Sequence, residues 1–415
     1  MPPLPSLPLR IRLGLIRPLL TGLCLGLAPI TIGESLDKNP PPTASVNPNL
    51  QELPNPFLRP GALPVQTLSD WESQRKWIRE LLLHHEYGHA PAGPFTTKVL
   101  EVQERSRENG AAREVTFSLE VSGGTTPFRM RCGLVFPTMG GPRFPVILAI
   151  DPVWQPHVTE TARKVNQRGY AFAGFHYHDV DEDKPDRTRG VYPAFPGNDW
   201  ATLAAWAWAA SRLTDHLMTR SDVDPSRLAI TGHSRCGKAA LLAGALDERF
   251  QLTAPHASGA GGAGSFRIQP KGVETLDLIT DPKRFHYWFH PNLRKFAGQE
   301  DQLPFDQHFL KALVAPRALL SMEAMGDTWA NPTGTWQTHR AAREVFRFLD
   351  AEDRLMAWYR PGGHDLTTAD WETLLDAADH VFKKSPLPEI LRTNPDSGTS
   401  PAFSWRAPNL QAGKP

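Results

Sequence analysis

Apolar and polar positions between residues 70 and 385 follow two patterns, and each pattern predicts a different kind of strand. Three stretches alternate, which is typical of strands with one buried face: KVLEVQE, REVTFSLEV and FRMRCGLVFP. Six short runs are mostly apolar, as fully buried strands are: FPVILAI, YAFAGFHY, RLAITGH, LTAPHAS, ALLSMEA and LMAWYRP. Helical stretches lie between these runs, at about 158–168, 199–220, 237–248, 334–350 and 370–383. Because strands and helices alternate, we predict an α/β fold, a mostly parallel sheet with helices on both faces in a three-layer sandwich.

The two ends of the chain differ in composition from this region. Residues 1–35 carry three arginines and then the apolar stretch PLLTGLCLGLAPITIG, which is shorter than the roughly 20 residues that span a bilayer. This pattern indicates an export signal, so we expect a secreted or periplasmic protein with no stable membrane insertion after processing. Residues 36–66 are rich in proline and predict a linker, and residues 67–385 predict one domain. Residues 386–415 lack periodicity, and we expect a poorly ordered tail there.

The overall composition excludes some classes of function. A net charge of +1 gives no reason to expect nucleic acid or an anionic surface as a partner. Hydrophobic residues make up 40% of the 415 positions, which is enough to bury a large core. Three cysteines cannot build a disulfide framework. No cofactor is expected.

One stretch, RLAITGHSRCGKAALLA, carries a candidate nucleophile. An apolar strand leads through Gly232 into Ser234 and then into an Ala/Leu-rich helix, which is how α/β-hydrolases expose a nucleophilic serine. The usual second glycine of Gly-x-Ser-x-Gly is replaced by Cys236, and Gly237 follows one place later. A chance Gly-x-Ser in a surface turn is the alternative, but the flanking strand and helix favour the nucleophile.

A serine nucleophile needs a histidine base and an acid that orients the base. In this fold the chain order is serine, acid and then histidine, on loops that follow late strands. Asp327 follows the apolar run ALLSMEA, and His364 follows LMAWYRP. Asp306, Asp365 and Glu323 are rival acids, but Asp327 directly follows its strand. We therefore predict the set Ser234, Asp327 and His364.

Several longer motifs resemble one known family. GHSRCGK, LPFDQHFLKALVAPRALL, GDTWANPTG and GGHDLTTADW are similar to stretches of the bacterial glucuronoyl esterases, the fifteenth carbohydrate-esterase family. The resemblance runs from about residue 70 to 385, and the shared motifs follow one another in the same order as in the family. It implies an α/β-hydrolase catalytic domain over residues 67–385. It also implies a serine esterase that cleaves the ester between a glucuronic acid of xylan and a lignin alcohol, with a glucuronoxylan–lignin ester or a small glucuronate ester as its partner.

The resemblance also implies roles for residues around the nucleophile. Arg235 supplies a guanidinium to the oxyanion. Lys238 occupies the position of a lysine that hydrogen-bonds sugar hydroxyls, and Trp329 that of a sugar-contacting tryptophan. Glu274 falls near the family's sugar-binding glutamate, although the family has Gly-Glu there and this chain has a valine between Gly272 and Glu274.

The chain departs from the family at the acid. Many members carry a glutamate just before a Ser-Gly pair, one strand after the nucleophile, and this chain has Ala257 at that place in PHASGAGG. Other bacterial members resemble this chain in having an aspartate after the later strand. The acid role therefore falls on Asp327 alone. His233 stands where fungal members have a cysteine.

Parts of the sequence are also compatible with other functions. An acetyl or feruloyl esterase would use the same triad. His85-Glu86-Tyr87-Gly88-His89 formally matches the His-Glu-x-x-His signature of zinc peptidases, but Gly88 and the following Ala-Pro indicate that the helix ends there, so no metal is expected. An inactive carbohydrate-binding relative is disfavoured because all triad residues are present. The acidic run 179–183 is either a calcium site or, as we prefer, a solvated loop.

Overall fold

The computed structural model describes residues 52–61, 63–150, 156–392 and 399–410. The expected signal sequence, residues 1–35, lies outside the described residues, as does most of the expected linker. None of the described helices combines the length and the apolarity that crossing a bilayer requires.

Nine strands of the described chain form one sheet, and every predicted strand is among them. The strands are β1 (Thr96–Arg107), β2 (Ala112–Ser122), β3 (Phe128–Pro137), β4 (Phe144–Ile150), β5 (Ala171–Phe175), β6 (Val223–His233), β7 (Phe250–His256), β8 (Ala318–Ala324) and β9 (Leu355–Arg360). Their order across the sheet is β1-β2-β3-β5-β4-β6-β7-β8-β9. Strands β1 to β3 pair antiparallel, as does β3 with β5, and all other pairs are parallel.

Helices cover the two faces of this sheet. They are α1 (Leu68–Leu82), α2 (Pro156–Gln167), α3 (Tyr177–Val180), α4 (Thr202–Leu217), α5 (Arg235–Leu246), α6 (Leu276–Thr280), α7 (His308–Val314), α8 (Pro332–Phe348), α9 (Thr368–Lys383) and α10 (Glu389–Arg392). Apolar residues of α1, α4, α5, α7 and α8 pack in one cluster, and those of α2, α9 and α10 pack in a second. The predicted α/β fold is confirmed.

Alternation along the buried strands explains why both clusters form. In β4, Val146 and Leu148 belong to the first cluster, whereas Ile147 and Ala149 belong to the second. Successive side chains of a strand point to opposite faces, so an all-apolar strand buries surface on both. This arrangement also places the carboxyl ends of the parallel strands along one edge of the sheet, where ligands of open α/β sheets bind.

The packed body extends beyond the expected limits of 67–385. Leu53 and Phe57, in the expected linker, are buried, and the backbone N–H of Leu53 donates to Ala402 at 2.8 Å. Phe403, in the expected tail, is also buried. Residues 399–410 therefore pack on the body instead of forming a poorly ordered tail, because a few aromatic side chains anchor a segment that has no periodicity of its own.

Candidate active site

Ser234 occupies a sharp turn between β6 and α5. Its backbone has φ 58° and ψ −125°, a conformation that residues other than glycine rarely adopt. The backbone N–H of Ser234 donates to His256 at 2.9 Å, and its carbonyl accepts from the N–H of Lys238 at 3.1 Å. Such a strained strand-to-helix turn, held by its neighbours, presents the serine hydroxyl at the carboxyl end of the sheet.

Two glycines allow this turn, and they explain the unusual spacing of the motif. A Cβ on Gly232 would lie 2.3 Å from the carbonyl oxygen of Cys236. A Cβ on Gly237 would lie 2.9 Å from the carbonyl oxygens of both Gly232 and His256. The close approach of helix and strands therefore falls at Gly237, so the preceding position can hold a buried cysteine.

The side chains of Ser234, His364 and Asp327 form a hydrogen-bonded chain. His364 Nε2 lies 2.9 Å from Ser234 Oγ, and His364 Nδ1 lies 2.5 Å from Asp327 Oδ2. The other oxygen of Asp327 accepts from the backbone N–H of Ala330 at 3.3 Å. With Nδ1–H donating to the carboxylate, Nε2 is left to accept the serine proton, which is the arrangement of an activated serine.

Backbone pairing past β8 and β9 brings the acid and the histidine together. The N–H of Met325 donates to Arg360, and that of Gly326 donates to Gly362, both at 2.8 Å. These bonds join the two loops directly after the strands. Asp327 and His364, 37 positions apart in the chain, consequently face each other.

The rival acids lie elsewhere. The Asp306 carboxylate accepts hydrogen bonds from backbone N–H groups of the segment after β7. Glu323 lies within β8, where burial raises its pKa to about 8. The backbone carbonyl of Asp365 accepts from Arg360. Ala257 has φ 44° and brings no carboxylate. Among the carboxylates that the structure describes, Asp327 is the one that hydrogen-bonds to the histidine.

Arg235 is the first residue of α5, directly after the serine. Its guanidinium forms an ion pair with Asp183 and lies over the ring of Trp288, 5.2 Å from the ring centre. Partial burial opposes the charge on Arg235, but the Asp183 carboxylate outweighs this effect, so the pKa of the guanidinium is raised. The backbone N–H of Arg235 begins a helix and needs no acceptor within it. Both groups are donors suited to an oxyanion.

Sequence reasoning missed Asp183 and its partners. Asp183 Oδ1 accepts from Trp288 Nε1 at 2.6 Å and from the Tyr287 hydroxyl at 3.2 Å. Asp181, in the same acidic run, is buried and accepts from Thr202 Oγ1 at 2.8 Å. The run is therefore not a solvated loop. Its position after β5, at the carboxyl edge of the sheet, is the signal that identifies it.

Lys238 and Glu274 form a buried ion pair in the same region. Lys238 Nζ lies 2.6 Å from Glu274 Oε2 and 2.5 Å from the carbonyl oxygen of Ala260. Burial raises the pKa of Glu274, and the adjacent ammonium partly counters that rise. The backbone N–H of Glu274 donates to the carbonyl of Trp329 at 3.0 Å. Trp329 is 37% exposed, so part of this residue is open to solvent.

Two further imidazole rings, those of His233 and His256, follow one another behind the base. The ring of His233 lies 4.6 Å from that of His364 and 4.9 Å from that of His256. His256 Nε2 in turn lies 3.1 Å from Asp370. Burial, together with the two neighbouring histidines, lowers the pKa of His233 to about 3. His233 is therefore neutral and packs as a flat ring beside the base.

The two histidines of the zinc-peptidase signature do not lie on one continuous α-helix. The helix turns into a single π-helical segment, Leu83–Tyr87, and ends at Gly88 with φ 74°. His85 packs against phenylalanine rings, and His89 bonds to Asp199, 3.2 Å from its carboxylate. In the described part of the chain, no three His, Cys, Asp or Glu side chains are grouped to hold a metal ion.

Proteins similar in sequence to this chain include several 4-O-methyl-glucuronoyl methylesterases. The family model described as fungal glucuronyl esterase matches residues 119–350, more than half of the chain. A 4-O-methyl-glucuronoyl methylesterase from Podospora anserina is 31% identical over 322 residues, which span 75% of this chain and 63% of that protein.

Similar solved structures carry the same description. A glucuronoyl esterase of carbohydrate-esterase family 15 from Caldicellulosiruptor kristjansonii matches with a TM-score of 0.76 and 31% identity, over 86% of this chain and 98% of that one. A mutant of the glucuronoyl esterase from Sporotrichum thermophile matches with a TM-score of 0.66 and 25% identity, over 82% and 90% of the two chains. That structure is a complex with methyl 4-O-methyl-β-D-glucopyranuronate.

Proposed function

The chain belongs to the glucuronoyl esterase family of carboxylic ester hydrolases, and from this premise we propose that it hydrolyses esters of 4-O-methyl-glucuronic acid by a Ser234–His364–Asp327 mechanism. The observation that carries the proposal is the hydrogen-bonded chain from Ser234 Oγ through both nitrogens of His364 to Asp327. An acetyl or feruloyl esterase would need the same three hydrogen-bonded side chains. The residues that face the sugar therefore decide between these activities.

The chemistry follows the roles of these groups. Ser234 Oγ attacks the ester carbonyl while His364 Nε2 takes its proton, and Asp327 holds the ring and stabilises the imidazolium that forms. The guanidinium and the backbone N–H of Arg235 bind the oxyanion of the tetrahedral intermediate. His364 then protonates the leaving alcohol. Water, deprotonated by the same nitrogen, releases glucuronate from the serine.

Recognition of the acyl group has to rely on hydroxyls and ring faces, because an ester carries no free carboxylate. Lys238 and Glu274 are the polar groups beside the serine that hydrogen-bond sugar hydroxyls. Trp329 packs beside the ring. A site with such partners rejects analogues that lack the hydroxyls, since its own polar groups would then stay unpaired.

The natural substrate, we propose, is the ester between glucuronic acid on xylan and a lignin alcohol. Two observations support this. A family relative was solved with a methyl 4-O-methyl-glucuronate, the same acyl group with a small alcohol. The basic and then apolar sequence of residues 1–35 has the pattern of an export signal, and a polymeric substrate requires an enzyme outside the cytoplasm.

The test compares three esters with the purified protein: benzyl glucuronate, methyl galacturonate and an acetylated sugar. We expect benzyl glucuronate to be cleaved far faster than the other two. Ser234→Ala should lower that rate at least about a thousandfold, and Ser226→Ala, a change at an exposed serine, should leave it unaltered. Preference for the acetylated sugar would overturn the substrate class. Activity of Ser234→Ala within tenfold of the parent would overturn the mechanism.

A further inference from the structure

We propose that Asp183 is a positioning residue of the reaction, which fixes the Arg235 guanidinium in the orientation that binds the oxyanion. The proposal rests on the proposed function, in that it requires an oxyanion to form at Ser234. It adds a residue that lies 52 positions from Arg235 in the chain, in an acidic run that sequence reasoning placed in solvent.

Arg235 needs such a restraint because its side chain is long and partly exposed. An unrestrained arginine samples many rotamers, and holding it in place costs side-chain entropy. Two contacts remove most of that freedom before substrate arrives, the ion pair with Asp183 and the Trp288 ring beneath the guanidinium. A donor that is oriented in advance stabilises developing charge without reorganising during the reaction.

Asp183 is itself held from several sides. One carboxylate oxygen accepts from Trp288 Nε1 at 2.6 Å and from the Tyr287 hydroxyl, and the other faces Arg235. The Tyr287 hydroxyl also donates to the backbone carbonyl of Asp183 at 2.7 Å. The backbone N–H of Asp183 donates to Asp181 Oδ1 at 2.7 Å. The carboxylate is thus a fixed anchor and not a mobile surface group.

The backbone of Asp183 adds a second sign of a fixed position. Its φ is 60°, in the left-handed region where aspartate and asparagine are tolerated better than most residues. Asp186, three residues later, is exposed, its hydrogen bonds run to neighbouring Thr188, and its ion pair is a long one of 3.8 Å with Arg189. Asp186 therefore provides a matched control on the same loop.

The first experiment measures kcat and KM on benzyl glucuronate for Asp183→Asn. Asparagine keeps the size and tolerates the backbone but removes the charge that holds Arg235. We expect kcat to fall about 10- to 100-fold, a part of the roughly 100- to 1000-fold loss that follows removal of an oxyanion donor. KM should change less than about threefold, and Asp186→Asn should leave both constants unchanged. A normal kcat for Asp183→Asn would overturn the proposal.

A double-mutant cycle separates positioning from a general structural effect. If Asp183 acts through Arg235, Asp183→Asn should cost less than about twofold when Arg235 is already alanine. Trp288→Phe removes the donor to Asp183 but keeps a ring, so it should cause a smaller loss that also disappears in the Arg235→Ala background. Equal losses in both backgrounds would mean that Asp183 acts independently of Arg235, and the proposal would be wrong.

A substrate-independent reaction keeps this test separate from the proposed function. A fluorophosphonate forms a bond from Ser234 Oγ to phosphorus while the P–F bond breaks, fluoride leaves and the serine proton goes to His364. Its phosphoryl oxygen occupies the oxyanion position. We expect labelling, followed by mass spectrometry, to slow in Asp183→Asn by a factor similar to that in kcat. If the parent does not cleave glucuronate esters but Asp183→Asn is still labelled more slowly than the parent, only the proposed substrate is rejected. If Asp183→Asn is labelled as fast as the parent, the role of Asp183 is rejected.

Discussion

At the residue scale, the acid of the candidate triad has no neighbour that replaces it. Ala257 occupies the place where many family members carry a glutamate, and its side chain is a methyl group. Asp365 adjoins His364 in the chain, but its backbone carbonyl is bonded to Arg360. The orientation of the base therefore depends on one carboxylate, that of Asp327.

Asp327→Asn should consequently lower kcat on benzyl glucuronate by about ten-thousandfold, because the amide favours the wrong tautomer of His364. Steady-state kinetics of the variant would measure this loss. Asp365→Asn is the control and should stay within about threefold of the parent. A severe loss in Asp365→Asn with a mild one in Asp327→Asn would show that the acid is assigned to the wrong residue.

The Lys238–Glu274 pair gives a second prediction at this scale. Lys238→Ala should lower kcat/KM on benzyl glucuronate at least about tenfold more than on a small aryl acetate, because the acetate has no hydroxyls for this pair to bind. The change also leaves Glu274 buried without its partner, which is expected to cost roughly 3–5 kcal/mol of stability, so a thermal melt must accompany the kinetics. Equal kinetic losses on both substrates would assign the pair to support of the serine turn.

At the scale of elements, the segment 399–410 has no regular structure but is attached by aromatic side chains. Trp405 Nε1 donates to the carbonyl of Leu53 at 2.7 Å. Its ring packs near Phe57, His308 and Phe403, with centres 6.3, 5.9 and 4.5 Å away. The segment thus ties residues before α1 to residues after α10.

Trp405→Ala should therefore destabilise the fold and leave the chemistry intact. We expect a loss of about 2–3 kcal/mol, somewhat less than for a fully buried tryptophan, because the ring is partly exposed. Denaturant unfolding would measure it. Leu410→Ala, at a side chain that is 50% exposed in the same segment, should cost less than about 0.5 kcal/mol. If both variants were as stable as the parent, the segment would not be docked in solution.

At the scale of the whole molecule, buried neutral histidines couple stability to pH. Burial lowers the pKa of His308 and of His216 to about 4. In the unfolded chain a histidine has a pKa of about 6.5, so between these values the unfolded state binds more protons than the folded one. The stability that these groups contribute is full above about pH 6.5 and is lost as the pH falls through about 4.

His308→Gln tests this coupling. His308 Nε2 lies 2.7 Å from the carbonyl oxygen of Pro54, and a glutamine N–H is able to donate there without titrating. The parent should lose about 2 kcal/mol between pH 7.5 and pH 5 through this residue, and the variant should not. Thermal melts at both pH values measure the difference, with His84→Gln, at an exposed position, as control. The same pH dependence in parent and His308→Gln would contradict the prediction.

The sequence by itself determined the fold and the order of the candidate site. Strand and helix periodicity are local properties, set by which side of each element has to be buried, so all nine strands could be predicted from short windows. Ser234, Asp327 and His364 could be placed at the sheet edge for the same reason, because each directly follows a buried strand.

Only the tertiary structure decided which distant side chains meet. No window of sequence relates Asp183 to Arg235, Lys238 to Glu274, or Trp405 to Leu53, since each of these contacts depends on how loops fold back over the finished sheet. Loops lack periodicity, and their conformations are selected by long-range hydrogen bonds and burial. The helices and strands can thus be predicted from local sequence, whereas the orientation of the oxyanion donor is a property of the assembled fold.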